Sequence, residues 1–136
     1  MLSVRSVDHI VLNVKDVEVA ATWYTRVLGM TRNDRAPTGG GTTRTSVTFG
    51  AQKINLRPIA TTQDDWFTAS EPAVGSADLC FLVEVAPDKV IEHLTSCGVA
   101  IEVGPVTKRG ARGNIFSVYC RDPDGSLIEI ASYPAA

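Results

Sequence analysis

The sequence predicts an α+β fold made of two related halves. In each half a β-branched strand precedes a helix that ends at a glycine, and further strands follow. Twenty residues separate His9 from Gly29 in the first half, and twenty separate Asp78 from Gly98 in the second. Two repeats are too few for a solenoid. We therefore expect an internal duplication, in which two small modules form one unit.

The first half contains one predicted helix among short strands. Asp16 is the expected N-cap of this helix, and Gly29 lies where a helix end favours a positive φ. The remaining predicted elements are a strand over Val7–Val14, a loop or open hairpin turn over Asn33–Thr43, and strands over Arg44–Phe49 and Gln52–Leu56, the last closed by Pro58.

The second half repeats this order after a connector. Its predicted elements are a strand over Asp78–Val85, a helix from Pro87 to Gly98, a basic glycine-rich loop over Gly104–Gly113, and strands over Asn114–Cys120 and Leu127–Ser132. We place the first module at about residues 4–59, the connector at about 60–75 and the second module at about 76–134, all within one domain of residues 1–136.

Composition excludes several classes of partner. The chain has 136 residues, of which 44% are hydrophobic and 21% charged, and its net charge is −2. This balance argues against a nucleic acid or an anionic membrane as partner. No apolar run approaches the ~20 residues of a transmembrane helix. Three cysteines without a C-x-x-C spacing indicate reduced thiols and a cytoplasmic protein.

Four polar residues interrupt otherwise apolar strands at matching positions in the two halves. His9 corresponds to Asp78, and Asn55 corresponds to Glu129. Burying such groups alone costs several kcal/mol, so they must be paired, hydrated or bound to a ligand. Together they offer N and O ligands suited to Mn, Fe, Ni or Zn. Taken singly, His9 could instead be a hydrogen-bonded core histidine, and Glu129 a charge that faces solvent.

Three segments carry a resemblance to a known family. They are Val-Asp-His-Ile-Val-Leu at 7–12, Trp-Tyr-Thr-Arg-Val-Leu-Gly-Met at 23–30 and Arg-Asp-Pro-Asp-Gly-Ser-Leu-Ile-Glu-Ile at 121–130. From about Val4 to Tyr133 the chain resembles the vicinal oxygen chelate superfamily of glyoxalases, bleomycin resistance proteins and dioxygenases, and within it a branch of small glyoxalase domains named as virulence proteins. The resemblance implies two βαβββ modules with paired half-barrel sheets, a homodimer, and a divalent metal between the sheets.

The resemblance also implies a set of metal ligands. The first and last ligands of the family fall on His9 and Glu129. The third position, commonly histidine, is Asp78 here, and the fourth, often glutamate, is Asn55. Asp78 is either a ligand or a solvated residue at the start of a strand. Asn55 offers only a weak, neutral oxygen ligand.

Basic residues near these positions predict an anionic small-molecule substrate. Arg57 follows Asn55 by two residues and should face the same way along a strand. Lys108, Arg109 and Arg112 lie in the predicted glycine-rich loop, which is either a mobile lid over the substrate or an ordinary solvated loop.

Three candidate functions follow from the resemblance. The first is a metal-dependent lyase or isomerase of the glyoxalase I type, in which the metal stabilises an enolate and Glu129 acts as general base. The alternative is a metal-free protein that sequesters a small molecule, as bleomycin resistance proteins do. A second alternative is an extradiol-type dioxygenase, which is disfavoured because His9 is the only histidine at the candidate positions.

Overall fold

The computed structural model describes residues 1–135 and divides the chain into two compact units, Met1–Val74 and the residues from Gly75 onward. Each unit has the order strand, helix, strand, strand, strand, so the two-module α+β fold is confirmed. Residues 60–74, expected to form most of a connector, belong to the first unit. Within residues 1–135, neither helix is long and apolar enough to cross a membrane.

The first unit is a four-stranded sheet with one helix against it. Its elements are β1 (His9–Val14), α1 (Val17–Leu28), β2 (Thr31–Arg35), β3 (Arg44–Phe49) and β4 (Gln52–Pro58). The strand order is β1-β4-β3-β2. The β1–β4 pair is parallel, and the other two pairs are antiparallel.

Both ends of α1 follow the predicted signals. The Asp16 carboxylate accepts hydrogen bonds from the backbone N–H groups of Glu18 and Val19, at 2.9 and 3.2 Å. Gly29 ends the helix with φ 67°, a left-handed conformation that most side chains disfavour. These caps satisfy backbone groups that the helix itself leaves unpaired.

The second unit has the same plan. Its elements are β5 (Asp78–Leu82), α2 (Pro87–Ser96), β6 (Val103–Gly110), β7 (Gly113–Arg121) and β8 (Leu127–Ser132). The strand order is β5-β8-β7-β6, again with one parallel pair, β5–β8. The predicted strand from Asp78 to Val85 is shorter than expected, because β5 ends at Leu82.

Two strands were predicted as loops. β2 lies in part within the expected loop over Asn33–Thr43, and β6 covers most of the expected loop over Gly104–Gly113. Both are edge strands of their sheets. Edge strands tolerate charged residues, proline and glycine, because one side needs no partner strand. These two strands lack the apolar alternation by which the other strands are recognised.

Each sheet has one apolar and one polar face. In the first unit, the residues of the apolar face are buried, and α1 contacts β2, β3 and β4. These residues are Leu12, Val14, Val47, Ile54 and Leu56. Side chains alternate along a strand, so the intervening residues point to the opposite face. That polar face carries the candidate site.

Candidate functional site

The polar face of the first sheet is ordered in rows across its strands. One row contains Arg35 on β2 opposite Arg44 on β3. The next contains Ser46 on β3 opposite Asn55 on β4. A third pairs Lys53 with His9 on β1 and with Thr48 on β3. The face therefore carries cations at both ends and neutral polar groups between them.

These rows line a pocket of about 340 Å³, here named the basic pocket. Its lining residues are Arg35, Pro37, Thr38, Arg44, Ser46, Lys53, Asn55 and Trp66. Three of the eight are cations and none is acidic. Arg44 lies over the Trp66 ring, 4.3 Å from its centroid, and donates to the Asp65 carbonyl at 3.0 Å. The pocket combines positive charge with one buried aromatic wall.

The cations of the basic pocket form no ion pair with a carboxylate of the described residues, although the charge of Lys53, after the hydrogen bond with His9, helps to lower the pKa of the exposed Asp8. In the part of the chain that the structure describes, Arg35, Arg44 and Lys53 form no ion pair within 4.0 Å. Arg32, by contrast, projects from the opposite face of β2 and pairs with Glu18 and Asp34. The charge of the basic pocket is therefore available to an anion from solution.

Arg57 is buried and bonded to protein groups, so the expected substrate-binding role is wrong. Its side chain is 1% exposed. The guanidinium donates to the Asn13 side-chain oxygen at 2.8 Å and to the carbonyls of Trp66 and Thr61 at 3.1 and 2.6 Å, with a longer bond to Thr62. Arg57 thus fixes the segment that places Trp66 at the pocket. Protein groups occupy the donors that a substrate would need.

A second, larger pocket adjoins the basic pocket. It measures about 610 Å³ and shares Pro37, Arg44 and Trp66 with it. Its other walls come from the glycine-rich turn after Pro37 and from the segment that Arg57 holds. A bound molecule can therefore place one part in the basic pocket and extend the rest beside it.

The second unit contains a separate cluster around Glu129. Cys80 and Tyr119 lie directly opposite Glu129 on the two neighbouring strands. The Ser117 hydroxyl donates to the Glu129 carboxylate at 2.5 Å. Asp78 lies on the same sheet face, two residues before Cys80, and is exposed. The carboxylate is thus surrounded by three groups that carry a proton.

The surroundings of Glu129 raise the pKa of two of these groups, Tyr119 and Cys80. Desolvation raises the pKa of the Tyr119 phenol to about 12, and the hydrogen bond and charge of Glu129 add to the shift. Partial desolvation raises the pKa of the Cys80 thiol to about 11, with further contributions from Glu129 and Asp78. Both groups therefore stay protonated near neutral pH and remain donors toward the carboxylate.

The predicted glycine-rich loop over Gly104–Gly113 is part of a β-hairpin, which corrects the expectation of a loop. Gly110 at the end of β6 pairs directly with Gly113 at the start of β7. Lys108 and Arg109 are adjacent on β6 and so point to opposite faces. Arg112 lies in the turn, 4.4 Å over the Tyr133 ring. The three cations do not converge on one ligand.

Comparison with known proteins identifies the family of this fold. The model of the Glyoxalase/Bleomycin resistance protein/Dioxygenase superfamily matches residues 6–130. The chain belongs to this superfamily. It is 41% identical over 129 residues to virulence protein STM3117 of Salmonella typhimurium, covering 93% of this chain and 83% of that one.

Other members of the glyoxalase/bleomycin resistance protein/dioxygenase superfamily are similarly close. The glyoxalase domain-containing protein RDO1 of Mycosarcoma maydis is 40% identical over 135 residues, which are 99% of this chain and 72% of that protein. An integron cassette protein of V. cholerae superposes with a TM-score of 0.87 at 38% identity, covering 98% of this chain and 99% of that one.

Neither unit alone supplies enough donor groups for the divalent metal that the resemblance implies. The first unit offers His9, whose Nδ1 lies 2.8 Å from the Asp8 carboxylate, and the weak ligand Asn55. The second offers Glu129 and the exposed Asp78. Among the described residues of each unit, no three His, Cys, Asp or Glu side chains form a group that could hold a metal. Catalytic zinc sites commonly use three protein ligands, so we assign no step to a metal.

Most residues of both clusters carry no motif that predicts them from the sequence. Arg44, Ser46 and Lys53 lie in predicted strands, at alternating positions that could mark a shared polar face. Arg35 lies on β2, most of which falls in a segment whose sequence predicts a loop. Ser117 and Tyr119 carried no motif, and only their register against Glu129 brings them to it.

Proposed function

We propose that this protein binds a small organic anion in the basic pocket of its first unit. The observation that carries the proposal is the set of three cations that form no ion pair among the described residues and surround a pocket of about 340 Å³. Arginine forms two parallel hydrogen bonds to a carboxylate or phosphate, which gives both affinity and orientation. Membership of a superfamily that includes bleomycin resistance proteins is consistent with a binding role.

Neutral groups of the pocket add selectivity to this charge. Ser46 and Asn55 supply hydrogen-bonding side chains between the cations, and Trp66 supplies an apolar surface. A ligand that matches them carries oxygen atoms on a small carbon skeleton. Inorganic anions have no carbon skeleton to contact Trp66 and therefore should bind more weakly.

Isothermal titration calorimetry with succinate and with inorganic phosphate tests this proposal. We expect saturable binding of succinate that Arg35→Ala weakens, whereas Arg109→Ala on the second unit leaves it unchanged. Arg109 is a suitable control because it is exposed and forms no ion pair among the described residues. Absence of saturable binding, or equal affinity in the Arg35 variant, would contradict the proposal.

A second candidate function is a proton-transfer reaction at Glu129. The observation that favours it is the 2.5 Å hydrogen bond from Ser117, with Tyr119 and Cys80 on the neighbouring strands. A carboxylate in such a cluster can accept a proton from a carbon next to a carbonyl and return it to a neighbouring atom, which is an isomerisation. The hydroxyl donors would orient the carboxylate for this exchange.

Proton exchange in D₂O tests this second candidate. With 2-oxobutyrate as the probe, NMR follows the loss of the proton signal at the carbon next to the carbonyl. We expect Glu129→Gln to abolish enzyme-dependent exchange and Ser117→Ala to slow it. Exchange at equal rates in the wild type and in Glu129→Gln would exclude Glu129 as the base.

A further inference from the structure

The spacing of the cations in the basic pocket indicates more than a general preference for anions. Arg35 and Arg44 form a pair at one end, because they lie opposite each other across β2 and β3. Lys53 lies at the other end, opposite Thr48 on β3. Thr48 and Arg44 are four residues apart on one strand, which corresponds to roughly 13 Å between their Cα atoms. The positive charge is therefore divided into two separate groups.

The row between these ends is neutral and polar. Ser46 and Asn55 lie opposite each other there, and both line the same pocket as the three cations. Long Arg and Lys side chains close part of the distance between the ends. An anion bound by the arginine pair leaves Lys53 without an anionic group of the ligand, and an anion bound by Lys53 leaves the arginine pair without one. A single small anion would thus satisfy only one end of the pocket.

We infer that the ligand carries two anionic groups at its two ends, joined by a short skeleton with a hydrogen-bonding oxygen near its middle. This inference rests on the proposed function of the basic pocket and assigns its ligand class. The arginine pair binds one carboxylate or phosphate by parallel hydrogen bonds, and Lys53 binds the other as a point charge. Ser46 and Asn55 contact the skeleton between them.

A matched series of linear acids tests the inference by calorimetry. Succinate, glutarate and adipate are compared with butyrate, pentanoate and hexanoate, which have the same numbers of carbon atoms and one carboxylate fewer. We expect at least one diacid to bind about tenfold or more tightly than its matched monoacid, because the second charge-assisted contact is absent from the monoacid. Equal affinities throughout the series would overturn the inference.

A variant at Lys53 distinguishes the contributions of the two ends of the basic pocket to binding. Lys53→Met keeps most of the side-chain length and removes the charge. We expect it to reduce diacid affinity to that of the monoacid, while monoacid binding changes less than about twofold. A loss that is the same for diacids and monoacids would overturn the inference but leave the proposed anion binding intact. If none of the six acids binds, the proposed function fails together with the inference.

Discussion

The Arg57 guanidinium donates to the backbone carbonyl of Trp66 at 3.1 Å from a side chain that is 1% exposed. This bond connects the end of β4 to a segment without regular structure. The same guanidinium holds Asn13 and the carbonyl of Thr61. Because Trp66 lines both pockets of the first unit, the buried arginine determines the shape of a surface that it does not reach itself.

Arg57→Ala should destabilise the protein strongly. The change leaves buried carbonyl groups without a donor and removes a large side chain from the interior. We expect the free energy of unfolding to fall by about 2–5 kcal/mol, measured by urea denaturation. Arg57→Lys should be intermediate, since an ammonium cannot reproduce the planar fork of bonds.

Arg35→Ala is the matched control for this measurement. Arg35 is exposed and without an ion pair among the described residues, so its loss should change stability by no more than about 0.5 kcal/mol. Equal destabilisation by the Arg57 and Arg35 variants would contradict the structural role given to Arg57.

Anion binding should depend on salt and on Arg44. Exposed charges are screened as ionic strength rises, so we expect succinate affinity to decrease steadily between 0.01 and 0.5 M NaCl. Arg44→Ala should lower that affinity by about tenfold or more, through the loss of the charge and of the contact with Trp66. Salt-independent affinity would indicate that binding takes place elsewhere.

Anion binding should not require a divalent metal. Neither unit groups three metal-ligand side chains among its described residues. We therefore expect succinate affinity to be the same in protein dialysed against EDTA and in protein supplied with Mn²⁺, Ni²⁺ or Zn²⁺.

Thermal unfolding with the same metals checks the ligand set that the resemblance implied. If a metal stabilises the wild type, and both His9→Ala and Glu129→Gln remove this effect while His93→Ala retains it, the metal-dependent enzyme becomes the better description. His93 is a useful control because it lies on α2, outside the sheet positions of the family ligands.

The Cys80 thiol should react slowly despite its exposure. Its pKa is raised to about 11 from an ordinary value of 9.0, so at pH 8 its thiolate is roughly a hundredfold rarer than that of an unperturbed thiol. Iodoacetamide labelling followed by peptide mass spectrometry measures this rate. Glu129→Gln removes a negative charge, lowers the pKa of Cys80 and should speed its labelling. The labelling rate of Cys97, measured in the same samples, is the control.

Homodimer formation is a further expectation that follows from the resemblance. Sedimentation velocity measures it directly. We expect a species of twice the mass of 14.6 kDa, and a monomer at all concentrations would contradict the expectation.

Local signals in the sequence were sufficient for one helix and for the strands with apolar alternation. The N-cap Asp16 and the terminal Gly29 predict the ends of α1, and β-branched runs predict β1, β3, β4 and β8. These signals are local because they arise from backbone geometry and from burial of one face. The two polar edge strands, β2 and β6, could not be found in this way. Their pairing depends on a neighbouring strand, and their sequences are free to be polar.

The sequence by itself determined the duplicated α+β plan and the family, since strand and helix signals recur in order and the closing motif around Glu129 is specific. Only the tertiary structure decided which cations are available to a ligand. Strand register brings Arg35 beside Arg44 in an open pocket, whereas burial surrounds Arg57 with carbonyl groups. Residue type specifies charge, but the availability of that charge depends on partners that are distant in sequence and become neighbours only on folding.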